Sequence, residues 1–176
     1  MKIRRVLFVA LFAALIASAG FFVMPIGPVP IVFQNGIAIL SGLLLGAVNG
    51  FFSVALFLLA GVLGMPIFSG GKAGLAVLAG PTGGYLIGYA LASFVAGLLF
   101  EKLPLPKIAS VIIATIAGFA IIYVPGLMRL SQTLHLSLND TFAKGLIPFL
   151  LADFLKAIVI IIVALRVKNK LKKFLS

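Results

Sequence analysis

Between Val6 and Gly71 the chain carries no charged side chain, an unbroken stretch of 66 positions (71 − 6 + 1). Such a stretch has too few polar groups to face water, and it is long enough for up to three bilayer passes of about 20 residues each. The whole chain follows suit: 63% of its 176 residues are hydrophobic, where a soluble domain has about 45–50%. The sequence therefore reads as a single all-α integral membrane domain over residues 1–176, with room for roughly five to seven helices of membrane-crossing length.

Proline and glycine place the joints. Pro25, Gly27, Pro28 and Pro30 end the first apolar run near Met24, because proline lacks the N–H that a continuing helix needs. Gly46, Asn49 and Gly50 mark a second break, and Gly64 with Pro66 a third. The expected spans are 6–24, 32–47, 50–64, 81–100, 108–125 and 147–166. Eight of the nine prolines fall in the inferred joints or, as Pro81 and Pro125 do, at the span ends that border them, and Pro148 falls in a first helical turn, where its missing donor is tolerated.

The stretch 31–63 is the ambiguous part, and charge decides it. As one helix it gives five spans, which place the basic tail Arg166, Lys168, Lys170, Lys172 and Lys173 on the side opposite Lys2, Arg4 and Arg5, against the positive-inside rule. As two helices it gives six spans with both termini cytoplasmic. Ten of the 14 basic residues then lie inside, Lys72, Arg129 and Lys144 lie outside, and Lys156 lies within a helix. The formal charge of +11 accordingly reads as a topology signal and an attraction to anionic lipid, and not as a nucleic-acid patch. The basic N-terminus, apolar run and Ala17-Ser18-Ala19 also fit a signal peptide; retention as a helix is the expectation, since small residues equally suit close helix contact.

Few residues are left for chemistry. With no cysteine, one histidine and three acids, neither a metal cage nor an acid/base pair is at hand, so no metal site is expected. Gly71-Lys72 is followed by Ala73 and lacks the context of a phosphate loop, so no nucleotide site is visible. Asp153 and Lys156, three apart, share a face of the last helix and can pair. Ionisable groups inside a membrane cost about 2.5–3.5 kcal/mol each on insertion scales, and they normally face a polar cavity or a partner. Both fall in the outer half of that helix, so a polar site opening outward is inferred; an ion pair that only braces the helices is the alternative.

Three irregular segments, Met24 to Asn35, Met65 to Gly80 and Gly126 to Lys144, fall on the same outer side. Together they suggest a cup with apolar walls from Phe33, Phe68 and Tyr85 and hydrogen bonds from Gln34, Asn35 and Thr82. His135, Arg129, Asp140 and Lys144 read as solvated loop residues. On the first helix Ala10, Ala14 and Ser18 recur every fourth residue, with Ala13 and Ala17 beside them, a ridge suited to packing within the bundle or to docking a membrane partner.

These residues carry a resemblance. Pro28-Val29-Pro30-Ile31 leading to Gln34 and Gly42-Leu43-Leu44-Leu45-Gly46, the run Gly61 to Phe68 with Gly70-Gly71, Gly80-Pro81-Thr82-Gly83-Gly84-Tyr85-Leu86-Ile87-Gly88, and Asp153-Phe154-Leu155-Lys156-Ala157 span nearly the whole chain. With them the chain resembles the biotin-specific S components of energy-coupling-factor transporters, the BioY family. The resemblance implies a compact bundle of six transmembrane helices in a prokaryotic plasma membrane that binds biotin from outside. It implies as partners a transmembrane coupling protein (T component) and two cytoplasmic ABC-type ATPases, which bind the ATP; no cofactor is expected on this chain. It also implies that Asp153 and Lys156 form the binding pair, with Gln34, Phe68, Thr82, Gly84 and Tyr85 around the ligand, and that Ala10 and Ala14 dock the coupling protein. Lys72 stands where glycine or a small polar residue is expected, so no role is assigned to it.

Rival readings are an S component for another vitamin, a structural membrane-assembly factor and an intramembrane enzyme. The last lacks support, because Asp153 has no nucleophile with a positioned base beside it.

Overall fold

A computed structural model describes residues 2–175; the side chains of Lys2, Lys172 and Lys173, used above for topology, lie outside the described residues. Among those described, the chain forms α1 (Lys2–Ala19), a two-stranded ribbon β1 (Val23–Met24) and β2 (Ile31–Val32), α2 (Gln34–Leu45), α3 (Ala47–Val62), α4 (Leu75–Ala79), α5 (Gly83–Lys102), α6 (Lys107–Leu134), α7 (Leu138–Gly145) and α8 (Ile147–Leu175). The ribbon is antiparallel, with Val23 opposite Val32. Among the described residues, three stretches suffice by length and composition to cross a membrane: Gly83–Lys102, Lys107–Leu134 and Leu138–Lys168, the last taking in α7. Helices α2 and α3 are apolar but shorter.

The break expected at Gly46 is there. Gly46 has φ +88°, a left-handed backbone that favours glycine, and α3 folds back along α2 so that Ser41 Oγ contacts the Gly50 carbonyl oxygen at 3.4 Å. Small residues then let α2, α3 and α5 meet backbone to backbone. A Cβ on Gly42 would collide with the Ser93 carbonyl, and one on Gly97 with Ala47. Ser41 and Ser93, both fully buried, satisfy each other across this contact at 2.9 Å. Helices α5 and α6 approach by the same means, with Gly84 and Gly88 against the backbone of Pro125 and Ile122.

Several sequence expectations change. Pro125 lies inside α6 instead of ending a span at 125. In an apolar setting no water competes for the backbone, so the helix survives the proline and runs on to Leu134. Consequently the segment Gly126 to Lys144, read as an irregular loop, is mostly helix, and His135 ends α6 in a left-handed conformation (φ 51°). Likewise Met24 to Asn35 is a small ribbon, whose end delivers Gln34 and Asn35 into the first turn of α2. Arg129 is not merely solvated: its guanidinium donates to the Ala79 carbonyl at the end of α4.

Helix α1 is part of the core, with Phe12, Ala13, Ile16 and Ala19 buried. Ala10, Ala14 and Ser18 face the other way and are exposed, flanked by exposed Leu7, Leu11 and Leu15. The small-residue ridge is therefore free of packing duty within this bundle.

The two ends of the bundle differ. At one end Lys168 of α8 donates to the Leu43 and Leu44 carbonyls at the close of α2, at 2.7 and 3.2 Å, and stands 5.4 Å from the centre of the Phe100 ring. This places a cation where a helix end is partially negative. The other end carries the ribbon, the 63–82 connection and α7.

Replacing Gly42 with Ala is expected to destabilise the fold by about 1–3 kcal/mol, the usual effect of overpacking a close contact. Thermal unfolding in detergent measures it, and a variant as stable as the parent would contradict this packing.

Candidate functional site

Helix α8 presents Asp153 and Lys156 to the interior, as their spacing predicts, and both are buried, at 6% and 8% exposure. They form an ion pair of 2.6 Å. The pair does not stand alone. Asn35, held in the first turn of α2, donates from Nδ2 to Asp153 Oδ1 at 3.0 Å, while its Oδ1 accepts from Lys156 Nζ at 3.0 Å. Tyr123 of α6 donates to Asp153 Oδ2 at 2.5 Å. One polar cluster thus ties α2, α6 and α8 together.

Counting donors refines what the lysine can do. An ammonium has three N–H groups and no acceptor; those of Lys156 go to the Val32 carbonyl (2.9 Å), Asn35 Oδ1 and Asp153 Oδ1. All three are engaged. Asp153 has about four lone-pair positions and accepts three bonds, so acceptor capacity remains on Oδ2.

Beside the cluster lies a cavity of about 50 Å³, lined in part by Asn35, Tyr123 and Lys156 on one side and by Gln34, Phe68 and Tyr85 on another. It is mainly apolar, with Tyr89, Ile122 and Phe149 among its walls. Ligand pockets typically measure about 300–1,000 Å³, so this one is small beside them. Its cover is the 63–74 segment, where Gly64, Gly70, Gly71 and Gly74 all have positive φ and open space around them. Phe68 drops from that segment into the core at 1% exposure, edge-on to Phe57, and a Cβ on Gly61 would strike its ring. Its backbone N–H donates to the Lys72 carbonyl at 3.0 Å, which closes a small turn with exposed Lys72 at the cavity rim.

Of the residues singled out from sequence, Gln34, Phe68, Thr82, Tyr85 and Lys156 line this cavity. Asp153 stands behind Asn35, Lys156 and Tyr123, joined to each by a hydrogen bond. Gly84 is elsewhere: its Cα packs against the Pro125 carbonyl and Arg129, so its role here is close approach of α5 to α6. Phe33, expected as a wall, is 52% exposed and borders an outer groove between α1, α2 and α8 instead. Tyr85 is both wall and anchor: its hydroxyl donates to the Gly145 carbonyl at 2.9 Å, and its ring covers Gly126.

Sequence reading missed Tyr123 and Tyr89 as site residues. A signal was available. The chain has only three tyrosines, and a hydroxyl in an apolar span needs a partner; Tyr85 and Tyr89 lie one helical turn apart, and Tyr123 packs edge-on to Tyr85 with ring centres 6.3 Å apart.

Comparison with known proteins gives a consistent result. The model of the BioY family matches residues 1–173. The chain is similar to the biotin transporter BioY of Thermotoga maritima, 37% identical over 166 residues, covering 94% of this chain and 96% of that protein. It is also 37% identical over 169 residues to the probable biotin transporter BioY of Pyrococcus horikoshii, covering 96% and 99% of the two chains. Among solved structures it resembles the crystal structure of the S-component for biotin from an ECF-type ABC transporter, with TM-score 0.89, 30% identity, and coverage of 96% of this chain and 92% of that one.

Asp153→Asn leaves the buried Lys156 ammonium without its counter-charge and is expected to cost about 3–5 kcal/mol of stability. Asp153→Asn combined with Lys156→Met removes both charges and is expected to unfold at a higher temperature than the single variant. Additive losses in a thermal-unfolding series would contradict the pairing.

Proposed function

The chain belongs to the BioY family, and on that premise we propose that it is the biotin-binding S component of an energy-coupling-factor transporter. It is a transport subunit and not an enzyme. The observation that carries the reading is the small, mainly apolar cavity with a buried polar cluster at its side, on a fold that matches a biotin S-component at TM-score 0.89.

The cavity's chemistry suits this ligand. Biotin has a cyclic urea with two N–H donors and one carbonyl acceptor, a compact apolar bicycle and an anionic valerate tail. Asn35, Tyr123 and Lys156 present the polar flank, with Asp153 bonded behind them, and Phe68, Tyr85, Tyr89 and Phe149 offer apolar surface. In this reading Gln34, Phe68, Thr82 and Tyr85 contact the vitamin. Asp153 and Lys156 set the polar flank, and Asn35 and Tyr123 hold that pair in place. Loading enlarges the cavity by movement of the 63–74 segment, whose four left-handed glycines supply the backbone freedom.

The topology belongs to the same proposal. Six spans with cytoplasmic termini put the Lys168 end of the bundle inside a prokaryotic plasma membrane, where Lys102 and Lys107 also lie. They put the cavity end outside, facing the vitamin supply. The short helices α2 and α3 then count as two spans. No phosphate loop occurs in the sequence, so uphill transport draws on a T component and two ABC-type ATPases that bind the nucleotide. The exposed ridge of Ala10 and Ala14 on α1 is the docking surface for the T component. An S component for another vitamin is disfavoured by the biotin assignment shared among the relatives.

Calorimetry on the detergent-purified protein is expected to give tight binding of biotin and no heat with thiamin or riboflavin; absence of biotin binding would falsify the assignment. Ala10→Leu with Ala14→Leu is expected to keep biotin binding and to abolish co-purification with the coupling protein. Retention of the complex would move the docking surface elsewhere.

A further inference from the structure

Arg129 is a cation that meets no acid. Among the described residues the one ion pair joins Asp153 to Lys156, and the Arg129 guanidinium donates only to the Ala79 carbonyl at the end of α4. A guanidinium has five N–H donors in a planar fork and no acceptor. Its Nε is buried without a partner, so the bond to α4 uses part of its donor capacity and leaves its charge unpaired. Ionisable groups at the depth of a membrane normally face a partner or a polar cavity, and the partner of this one is not in the chain.

The residue stands at the head of a groove. Arg129 and Gln132 share a face of α6, and with Leu75 and Leu78 of α4, Ile87 of α5 and Met128 they line a groove of about 570 Å³. It is distinct from the cavity beside Lys156, with which it shares no lining residue. Close packing places the cation there, because a Cβ on Gly84 would stand 2.7 Å from Arg129 Cβ. The groove is also polarised along the bundle. Helix α5 begins and α6 ends at the cavity end, so Arg129 and Gln132 stand near that rim while Ile87 lies a turn deeper. From there exposed Leu91 continues the line of Ile87 along α5, and exposed Val124 continues that of Met128 along α6. A polar head and an apolar track thus follow one another toward the middle of the membrane.

We propose that this groove binds one anionic phospholipid, whose phosphate accepts from the Arg129 guanidinium and the Gln132 amide and whose acyl chain runs inward over Ile87 and Met128. With the topology proposed above, the lipid belongs to the outer leaflet. A guanidinium fork matches phosphate oxygens in geometry as well as charge. No acid is among the described residues lining the groove, so the ammonium of a zwitterionic headgroup meets no counter-charge, and a lipid with a net negative headgroup is preferred. Free phosphate leaves the apolar track uncovered, which favours a lipid as the source of the anion. Since Arg129 also bonds the end of α4, the bound lipid steadies the junction of α4 with α5.

The test is native mass spectrometry of the detergent-purified full chain, titrated with dioleoylphosphatidylglycerol, dioleoylphosphatidylethanolamine and phosphate-free dioleoylglycerol. A parallel thermal-unfolding series compares phosphatidylglycerol with inorganic phosphate. One phosphatidylglycerol per chain is expected, held at least about tenfold more tightly than either other lipid, and it is expected to raise the unfolding temperature where inorganic phosphate does not. Arg129→Gln removes the charge but keeps an N–H donor for Ala79, and it is expected to weaken retention about tenfold. Lys144→Gln makes the same change of charge at an exposed residue of α7 outside the groove and is expected to leave retention within about twofold. Equal retention of the three lipids, unchanged retention in Arg129→Gln, or an equal loss in Lys144→Gln overturns the site. Equal stabilisation by inorganic phosphate overturns the lipid as its ligand. If Arg129→Gln does not fold, the comparison of lipids on the unaltered chain decides.

Discussion

A charged amine within a bundle of apolar helices persists only where every proton it carries meets an acceptor, and Lys156 meets that condition through Val32, Asn35 and Asp153. The rest of the site depends on this arrangement. The Val32 carbonyl belongs to the end of the ribbon, Asn35 to the first turn of α2, and Asp153 to the turn of α8 that precedes Lys156. Tyr123 adds α6 by bonding the second carboxylate oxygen. The cluster thus fixes where three helices and the ribbon stand around the cavity, whatever the ligand later contributes. Burial of such a pair is weak grounds for stability, since apolar replacements often serve as well. Its place beside the cavity is better explained by position and polarity than by strength.

Packing supplies the complementary constraint. Lipid provides no hydrophobic drive between helices, so close contact of small residues does that work. Here Gly42, Gly50 and Gly97 bring α2, α3 and α5 together, and the Ser41–Ser93 hydrogen bond satisfies the polar groups trapped there. Around the cavity the logic is reversed. The cover is tied down by hydrogen bonds from Gln34 Nε2 and to the Gly20, Ala60 and Gly61 carbonyls and by the buried Phe68 ring against Phe57, while its glycines at 64, 70, 71 and 74 have open space.

Much of this was legible in the sequence because it depends on local rules. Gly46 as a break, Pro66 and Pro81 as joints, and Asp153 with Lys156 on one helical face follow from backbone preference and periodicity, and the structure has each of them. What was not legible depends on neighbours distant in sequence. Pro125 reads as a helix end, yet α6 continues past it because its surroundings are apolar. Phe33 and Gln34 are adjacent, and nothing local says that the first faces outward while the second is sealed inside with its NH₂ bridging α1 and the cover. Tyr123 lies 30 positions before Asp153, and only the packing of α6 on α8 brings the two into contact. Gly84 sits in a segment suggestive of ligand contact, but the crossing of α5 and α6 assigns it to packing.

Biotin is proposed to occupy the cavity beside Asn35, Tyr123 and Lys156, under the 63–74 segment. An experimental structure of the protein with biotin bound tests it most directly. Ligand density is expected among Gln34, Tyr85 and Tyr123 in an enlarged cavity, with the Asp153–Lys156 pair intact. Density in the outer groove between α1 and α8, bordered by Phe33 and Val159, with the cavity still small, would contradict it.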